Sequence, residues 1–348
     1  MKRTPAFYRG CLVGGAIGDA LGWPVEFDSY ETILAKYGSG GIRDLQPGDA
    51  GAAEITDDTQ MTLFTAEGIL RAESRGRQKG IAHSPSAVYY AYQRWLLTQG
   101  YPKYDGYAWA YKSWLLDVQE LYARRAPGHS CLSALSSRTI GTAERPINDS
   151  KGCGGVMRAA PAGLFYPKEQ AFDMAVKYAA LTHGHPSGYL SAGALAYLVA
   201  AIIEGQSLEA AVAATLGVLP GYTGHEECTR CLQSAVRLAQ QDRPDVEAIA
   251  ELGEGWVGEE ALGIAVYCAL KHARDFRQAL IAAVNHSGDS DSTGAITGNI
   301  LGAALGYDRI PADWAAGVEL QDVLLRVADD LLAYRLAGQL EPTRYPGD

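Results

Sequence analysis

Two short clusters of carboxylates and hydroxyls, far apart in the chain, have the side chains of a metal site. They are Thr56-Asp57-Asp58-Thr59 and Gly288-Asp289-Ser290-Asp291-Ser292-Thr293, and each leads into an apolar stretch with helical spacing. If the clusters meet in the fold, their four carboxylates share a small volume and cannot all stay ionised without cations. Carboxylate and hydroxyl oxygens are hard ligands, which indicates Mg²⁺, Mn²⁺ or Ca²⁺ rather than zinc.

The spacing within each cluster allows its carboxylates to converge. At a helix start, the side chains of Asp57 and Asp58 diverge by about 100°, so one can reach each side of a shared centre. Asp289 and Asp291 are two residues apart, and a bent loop can point both inward. Because Asp, Ser and Thr are also favoured helix N-caps, each cluster alone has an ordinary capping explanation. Together they suggest a two-metal hydrolase, since four negative charges match two divalent ions.

Three further segments could complete such a site. The stretch Asn148 to Arg158 contains Gly152, Gly154 and Gly155, which is typical either of a backbone nest for an anion or of a plain flexible loop. His183, between two predicted helices, could bind a phosphate or sugar, or cap a helix. Glu26 follows a glycine-rich apolar stretch, and apolar surroundings raise a carboxyl pKa towards the range used in acid–base catalysis.

Composition and charge exclude several classes of protein. The chain has 348 residues, is 47% hydrophobic and carries a net charge of −10, which argues against disorder and against general nucleic-acid binding. The six cysteines are scattered and do not suggest a disulfide framework. Cys228 and Cys231 form a C-x-x-C, but without a second pair we interpret them as buried helical thiols rather than a zinc or redox site.

No segment has the pattern of a signal peptide or of a membrane span. The apolar runs Leu190–Ile203 and Ala295–Leu305 are shorter than the roughly 20 residues that cross a bilayer. We therefore expect a cytoplasmic protein without membrane contact.

Helical periodicity dominates the chain, and two-residue alternation is nearly absent. The pattern predicts an all-α fold, with helices over Met61–Glu73, Ala87–Leu97, Glu169–Leu181, Ser191–Ile203, Leu208–Leu216, Glu227–Gln240, Asp245–Glu251, Glu259–Arg274, Phe276–Val284, Ser292–Leu305 and Leu320–Ala337. The spacing of Gly294, Gly298, Gly302 and Gly306 predicts a crowded central helix that meets another backbone closely. We expect a single domain over residues 1–348, with a Tyr-rich surface excursion at about 98–150 that packs on the core or forms a substrate or partner surface.

Five motifs, in order, resemble the ADP-ribosylglycohydrolase family, which includes the dinitrogenase-reductase-activating glycohydrolase and the animal ADP-ribosylhydrolases. They are Gly14–Gly22, Thr56–Thr59, Ser150–Arg158, Thr182-His183 and Gly288–Thr293, and they span roughly residues 8–306. The resemblance implies a compact, all-α helical bundle around a dinuclear Mg²⁺ or Mn²⁺ centre.

The resemblance also implies a role for each matching residue. The metal ligands would be Thr56, Asp57, Asp58, Asp289, Asp291 and Ser292. Glu26, Asp57 and Asp58 would be catalytic, with Glu26 gating the site or moving a proton and an aspartate orienting or deprotonating the attacking water. The substrate would be bound by Ser150, Gly152, Cys153, Gly154, Gly155, Val156 and His183, with Tyr222 as a candidate for stacking on adenine. Cys153 stands where some members have Asn.

The implied activity is hydrolysis of the C1″ glycosidic bond that joins ADP-ribose to a modified protein side chain, with arginine as the expected linkage. The expected partners are an ADP-ribosylated protein or ADP-ribose conjugate and a cognate ADP-ribosyltransferase. The alternatives are an immunity-type or binding-only relative that neutralises a transferase or binds ADP-ribose without turnover, and a phosphohydrolase that acts on ADP-ribose itself.

Overall fold

The computed structural model describes residues 1–338 and 343–347, and within them the chain is helical. The α-helices are α1 Pro5–Gly22, α2 Tyr30–Tyr37, α3 Asp57–Lys79, α4 Ser84–Thr98, α5 His129–Ser136, α6 Ala160–Phe165, α7 Lys168–Ala179, α8 Pro186–Ile203, α9 Leu208–Val218, α10 Glu226–Ala239, α11 Asp245–Leu252, α12 Gly258–Lys271, α13 Phe276–Val284, α14 Ser290–Leu305, α15 Ala312–Gly317 and α16 Gln321–Ala337. Among the described residues β-structure is limited to isolated bridges. The predicted all-α class is confirmed.

Helices α1 and α14 run antiparallel in direct backbone contact at the centre of the molecule. A Cβ added to Gly14 would lie 2.5 Å from the carbonyl oxygen of Gly298, and one added to Gly298 would overlap the carbonyl oxygen of Gly14. The same holds one turn away on each side, where Gly18 faces Gly294 and Gly10 faces Gly302. The predicted crowded central helix is therefore correct, and its partner is the glycine row of α1.

This contact has a direct consequence for the acidic clusters. Because the helices are antiparallel, the C-terminal end of α1 lies beside the N-terminal end of α14, and Gly22 contacts Ser290. The segment that carries Asp19 and Glu26 is thereby brought to the second acidic cluster.

The predicted helices are present, with ends that differ by a few residues. The largest differences are at α3, which extends to Lys79, and at α8, which begins at Pro186. The predicted helices do not include α1, whose glycines interrupt its apolar pattern. They also lack the short helices α2, α5, α6 and α15, since six to eight residues give too few turns to show a pattern.

Helix α8 passes through the core. By length and composition it is the one helix among the described residues that could cross a membrane, but 83% of it is buried inside the fold. Apolar side chains on all sides are expected of a helix that packs against α6, α7 and α12 at once.

The Tyr-rich segment after α4 is made of short 3₁₀ helices and α5. Tyr104 and Tyr107 pack edge to face at 4.9 Å, and Tyr107 packs in the same way on Tyr90 of α4 at 5.2 Å. These tyrosines thus form an aromatic cluster against α4. The boundaries of the predicted single domain stay a prediction.

Candidate active site and metal centre

The first acidic cluster lies at the N-terminus of α3. Thr56 is the N-cap, and its hydroxyl accepts from the N–H of Asp58 at 3.3 Å. Asp57 and Asp58 occupy the first turn, where carboxylates are favoured by the helix dipole. The capping explanation is therefore correct for this cluster, and it holds both carboxylates at a fixed helix end.

A buried carboxylate of α1 fixes this helix end from outside. Asp19 accepts from the N–H and the hydroxyl of Thr56 at 3.0 and 2.9 Å, and from the N–H and the hydroxyl of Thr59 at 3.1 and 2.5 Å. Asp19 has no exposed surface. The helix α3 is thus positioned by α1 through four hydrogen bonds to one side chain.

The second cluster lies at the N-terminus of α14. Asp289 is the N-cap and accepts from the N–H of Ser292 at 3.3 Å, while Asp291 accepts from the same N–H at 2.8 Å. The N–H of Asp289 donates to the carbonyl oxygen of Glu254 at 2.8 Å, so the turn is held by the loop before α12. Both clusters cap helices and both are buried.

The two clusters meet. The Thr56 hydroxyl lies 3.2 Å from Oδ2 of Asp291, which joins residues 235 positions apart. Carboxylate oxygens of Glu26, Asp289 and Asp291 lie within 4.8 Å of one another. The structure thus places Glu26 beside the second cluster and brings Thr56 of the first cluster into contact with the second.

These side chains face a common cavity of about 290 Å³. Its wall includes the polar residues Glu26, Asp57, Asp58, Asp289, Asp291 and Ser292, together with Gly152, Cys153, Gly154 and His183. No lysine or arginine is among the described residues that line it. A cavity of this kind attracts cations and excludes unneutralised anions.

Burial and mutual repulsion raise the pKa values of the cluster. Burial, the charge of Asp291 and the other carboxylates raise the pKa of Glu26 to about 10. Burial raises the pKa of Asp57 to about 7 against a hydrogen bond from the Gly128 N–H, and burial with Asp291 raises the pKa of Asp19 to about 8. Burial and neighbouring carboxylates also raise the pKa values of Asp58 and Asp289, and burial raises that of Asp291.

The donor set fits a hard divalent cation. Oδ1 of Asp58 and Oε2 of Glu26 are buried and have no hydrogen-bond partner. Buried carboxylate oxygens are costly without a proton, a hydrogen bond or a cation. Oxygen donors from Thr56, Asp57, Asp58, Asp289, Asp291 and Ser292 are what Mg²⁺ or Mn²⁺ prefers.

The glycine-rich loop is held to the segment before α12 by backbone hydrogen bonds. The N–H of Cys153 donates to the carbonyl oxygen of Trp256 at 3.1 Å, and that of Gly258 donates to the carbonyl oxygen of Lys151 at 2.8 Å. The Cys153 N–H is therefore not free to bind an anion, so the predicted backbone nest has one donor fewer. The loop is an ordered wall of the cavity rather than a flexible linker.

His183 packs against this loop and is uncharged. Its Nδ1 lies 2.8 Å from the Thr182 hydroxyl, and a Cβ on Gly154 would contact its ring. Burial and the nearby Arg158 lower the pKa of His183 to about 3. It can therefore contribute a hydrogen bond to a ligand in the cavity, but no positive charge.

Known proteins similar to this chain align with nearly all of it. The sequence profile of the ADP-ribosylglycohydrolase family matches residues 3–340. This chain belongs to that family.

Individual members of the family agree with the profile. The ADP-ribosyl-[dinitrogen reductase] glycohydrolase of Rhodospirillum rubrum is 27% identical, over 94% of this chain and 96% of its own length. The ADP-ribosylarginine hydrolase Tri1 of Serratia proteamaculans is 28% identical, over 93% of this chain and 78% of its own length. A solved structure named an ADP-ribosylglycohydrolase-related protein complex aligns with a TM-score of 0.68 and 25% identity, covering 97% of this chain and 99% of the other.

Membership of the ADP-ribosylglycohydrolase family confirms the predicted enzyme class, a hydrolase of glycosidic bonds to ADP-ribose. The individual site residues stay predictions, although the structure brings most of them to one cavity. Thr56 and Ser150 do not line it but contact residues that do, namely Asp291 and Ser130. Gly155 packs on the backbone of Gly188 and Val156 is fully buried, so neither lines the cavity. Tyr222 packs on α7 instead. Its ring stacks on Phe172 at 4.2 Å and its hydroxyl donates to Asp173, and it is not among the residues that line the cavity.

Sequence reasoning missed several residues of this ADP-ribosylglycohydrolase site. Asp19 was part of a matching motif, but its contact with α3 is not encoded in local spacing. Phe27 and Trp256 line the cavity, are exposed by 68% and 39%, and stack on each other at 5.8 Å. His129 also lines the cavity. The signal available in the sequence was a tryptophan between glycines, in Gly255-Trp256-Val257-Gly258.

Proposed function

We propose that the chain is a divalent-cation-dependent hydrolase that removes ADP-ribose from arginine side chains of proteins. The observation that carries the proposal is the convergence of Glu26, Asp57, Asp58, Asp289 and Asp291 on one cavity. A binding-only relative would have no need for five buried carboxylates, because their mutual repulsion destabilises the fold.

Two cations, Mg²⁺ or Mn²⁺, would be held by Thr56, Asp57, Asp58, Asp289, Asp291 and Ser292. Bound there, they would neutralise the carboxylates and supply Lewis-acid chemistry at the ribose. Within the loop from Ser150 to Val156, Gly152, Cys153 and Gly154 line the cavity with His183 and are the proposed place of the diphosphate.

Glu26 and Asp57 have opposite roles in proton transfer. The Glu26 carboxyl is 7% exposed and its Oε2 has no hydrogen-bond partner in the described structure, a setting that favours the protonated acid, which can donate to the departing guanidine nitrogen. Asp57 lies at the N-terminus of α3 and lines the same cavity, so its carboxylate can accept the proton of the attacking water. The C1″–N bond breaks as the C1″–O bond forms, and the proton lost by water is matched by the proton that Glu26 donates.

Three observations support arginine as the linkage. A relative at 28% identity is named an ADP-ribosylarginine hydrolase. The cavity wall is acidic, and Phe27 and Trp256 at its mouth expose ring surface to which a guanidinium can bind. The cytoplasmic location and the cognate ADP-ribosyltransferase expected from the sequence belong to the same proposal.

The test is a panel of ADP-ribosylated arginine, serine and nucleobase substrates, each assayed with Mg²⁺, Mn²⁺ or EDTA. We expect release of free ADP-ribose from arginine, at a rate abolished by EDTA and by Asp57→Ala or Asp291→Ala. Asp313→Ala is the matched control, since that exposed carboxylate pairs only with Arg277 in the described structure. Faster release from serine would contradict arginine as the linkage, and no release from any substrate would contradict the hydrolase activity. AMP as the product would indicate a phosphohydrolase.

A further inference from the structure

Arg158 is a buried cation, 1% exposed, that lies behind the wall of the cavity. Its guanidinium donates to Oγ1 of Thr182 at 2.5 Å and lies 4.3 Å from the ring centre of Tyr92. It also lies 3.1 Å from Sγ of Cys131 and 3.2 Å from Sδ of Met61. None of these partners in the described structure is a carboxylate. Because a buried charge without a counterion destabilises a fold, this arginine calls for a role beyond packing.

The hydroxyl of Thr182 joins Arg158 to His183. A guanidinium can only donate hydrogen bonds, so Oγ1 of Thr182 accepts from Arg158 and its own proton goes to another acceptor. Nδ1 of His183 lies 2.8 Å from this oxygen, whereas the carbonyl oxygen of Ala179 lies at 3.4 Å. Nδ1 is therefore the acceptor, and the proton of the neutral imidazole is carried by Nε2.

The charge of Arg158 favours the same arrangement. An N–H at Nδ1 would direct its positive end towards the guanidinium, whereas a lone pair there is attracted to it. Burial and the same charge lower the pKa of His183 to about 3, so the ring stays neutral. One buried cation thus determines both the charge of His183 and the position of its proton.

The other ring nitrogen of His183 is at the cavity wall. A Cβ added to Gly152 would lie 3.4 Å from Nε2, and one added to Gly154 would lie 3.3 Å from it. Both glycines and His183 line the cavity. The hydrogen bond that the described structure gives to the ring is at Nδ1, so an N–H at Nε2 is available to a ligand.

We propose that Arg158 and Thr182 are positioning residues that hold His183 as the Nε2–H tautomer, a hydrogen-bond donor to the diphosphate of the ligand. The identity of that ligand rests on the proposed function. A charged side chain at this wall would pair with the carboxylates of the candidate metal centre, whereas a neutral N–H binds a phosphate oxygen without competing with cations for them.

The experiment observes the tautomer directly, in long-range proton–nitrogen correlation spectra of the full chain with isotopically labelled histidine and Mg²⁺. The shifts of Nδ1 and Nε2 depend on which nitrogen carries the proton. We expect the Nε2–H tautomer in the native chain and in Thr182→Ser, which keeps the hydroxyl, and a mixture of tautomers in Thr182→Val. Thr215→Val is the matched control and should match the native chain, since the buried Thr215 hydroxyl donates to Ala211 within α9.

The ligand contact is tested with ADP-ribose as the probe. Added ADP-ribose should shift the Nε2 resonance of the native chain. It should bind about tenfold more weakly to Thr182→Val than to Thr182→Ser, because a hydrogen bond to a charged acceptor is lost. Thermal unfolding verifies that each variant is folded, and Thr182→Ala replaces Thr182→Val if that variant is not.

The outcomes separate this role from the proposed function. An Nδ1–H tautomer or an imidazolium in the native chain overturns the positioning role, as does an Nε2 resonance that ADP-ribose leaves unchanged. It is also overturned if Thr182→Val keeps either the tautomer or the ADP-ribose affinity of Thr182→Ser. If all these expectations hold but no ADP-ribosylated substrate is hydrolysed, the positioning role stands and the proposed function falls.

Discussion

At the scale of single residues, the candidate metal centre depends on a buried carboxylate that lies outside the cavity. Asp19 does not line the cavity, yet its two oxygens accept every free donor of Thr56 and Thr59 at the start of α3. Such outer hydrogen-bond partners orient the residues that hold a metal. Asp19 is therefore a positioning residue for Thr56 and, through the helix end, for Asp57 and Asp58.

We expect Asp19→Asn to weaken Mn²⁺ binding and hydrolysis by about 10- to 100-fold while the fold persists. The amide Nδ2 would face the N–H and O–H donors of Thr56 and Thr59, so α3 loses part of its anchor. Calorimetric Mn²⁺ titration together with circular dichroism measures this. Unchanged Mn²⁺ affinity in a folded variant would show that Asp19 does not position the site.

Lys151 is a second positioning residue, and its charge points away from the cavity. Its ammonium lies 2.8 Å from Glu259 and 3.2 Å from Glu227, which ties the loop before Gly152 to α12 and α10. Lys168 makes similar contacts, at 2.8 Å to Glu204 and 3.0 Å to Glu169, away from the cavity.

We predict that Lys151→Met raises KM for the ADP-ribosylated substrate about fivefold with a smaller change in kcat, because a loosened loop costs about 1 kcal/mol of binding. Lys168→Met removes an equivalent ion pair and should leave KM unchanged. Steady-state kinetics of the two variants measure KM and kcat. Equal increases in KM would mean that loss of the ion pair acts through general stability rather than through the loop.

At the scale of elements, the glycine contact between α1 and α14 assembles the site. We expect Gly298→Ala to destabilise the fold by at least about 2 kcal/mol, since the new Cβ overlaps the backbone of Gly14 and the helices must separate. Gly217→Ala in α9 is the control, because a Cβ there meets nothing within 4 Å. That change should stabilise by up to about 1 kcal/mol. Urea unfolding measures the free energy of unfolding of both variants, and similar values would contradict the close packing of α1 on α14.

The sequence predicts elements well where many residues share one pattern. Long helices such as α12 and the glycine row of α14 were predicted from spacing alone. Contacts between distant residues were not, because spacing carries no information on them: Cys153 and Asp289 are 136 positions apart and touch through Sγ. Tyr222 illustrates the limit, since its stacking surface is used by Phe172 within the fold.

At the scale of the whole molecule, cation binding, folding and pH are linked. The pKa values of Asp57, Asp19 and Glu26 are raised to about 7, 8 and 10, whereas unfolded carboxyls titrate near 4. The metal-free native state therefore holds more protons than the unfolded state at neutral pH, so its stability falls as pH rises. Each carboxyl that stays protonated in the native state and ionised in the unfolded state over two pH units contributes about 3 kcal/mol to that fall.

Cations should reverse this trend, because they bind the deprotonated carboxylates and so gain affinity as pH rises. We expect the increase in Tm caused by Mn²⁺ over EDTA to be small at pH 6 and large at pH 8. Scanning calorimetry at the two pH values measures it. Asp291→Asn is the matched variant, because it keeps the side-chain volume. It removes a charge that raises the pKa values of Glu26 and Asp19. The stability of the metal-free variant should therefore depend less on pH than that of the native chain. If the Mn²⁺ effect in the native chain is equal at both pH values, the raised carboxylates are not its cause. If the stability of the metal-free variant falls with pH as steeply as that of the native chain, the acidic cluster is not the group that couples folding to protons.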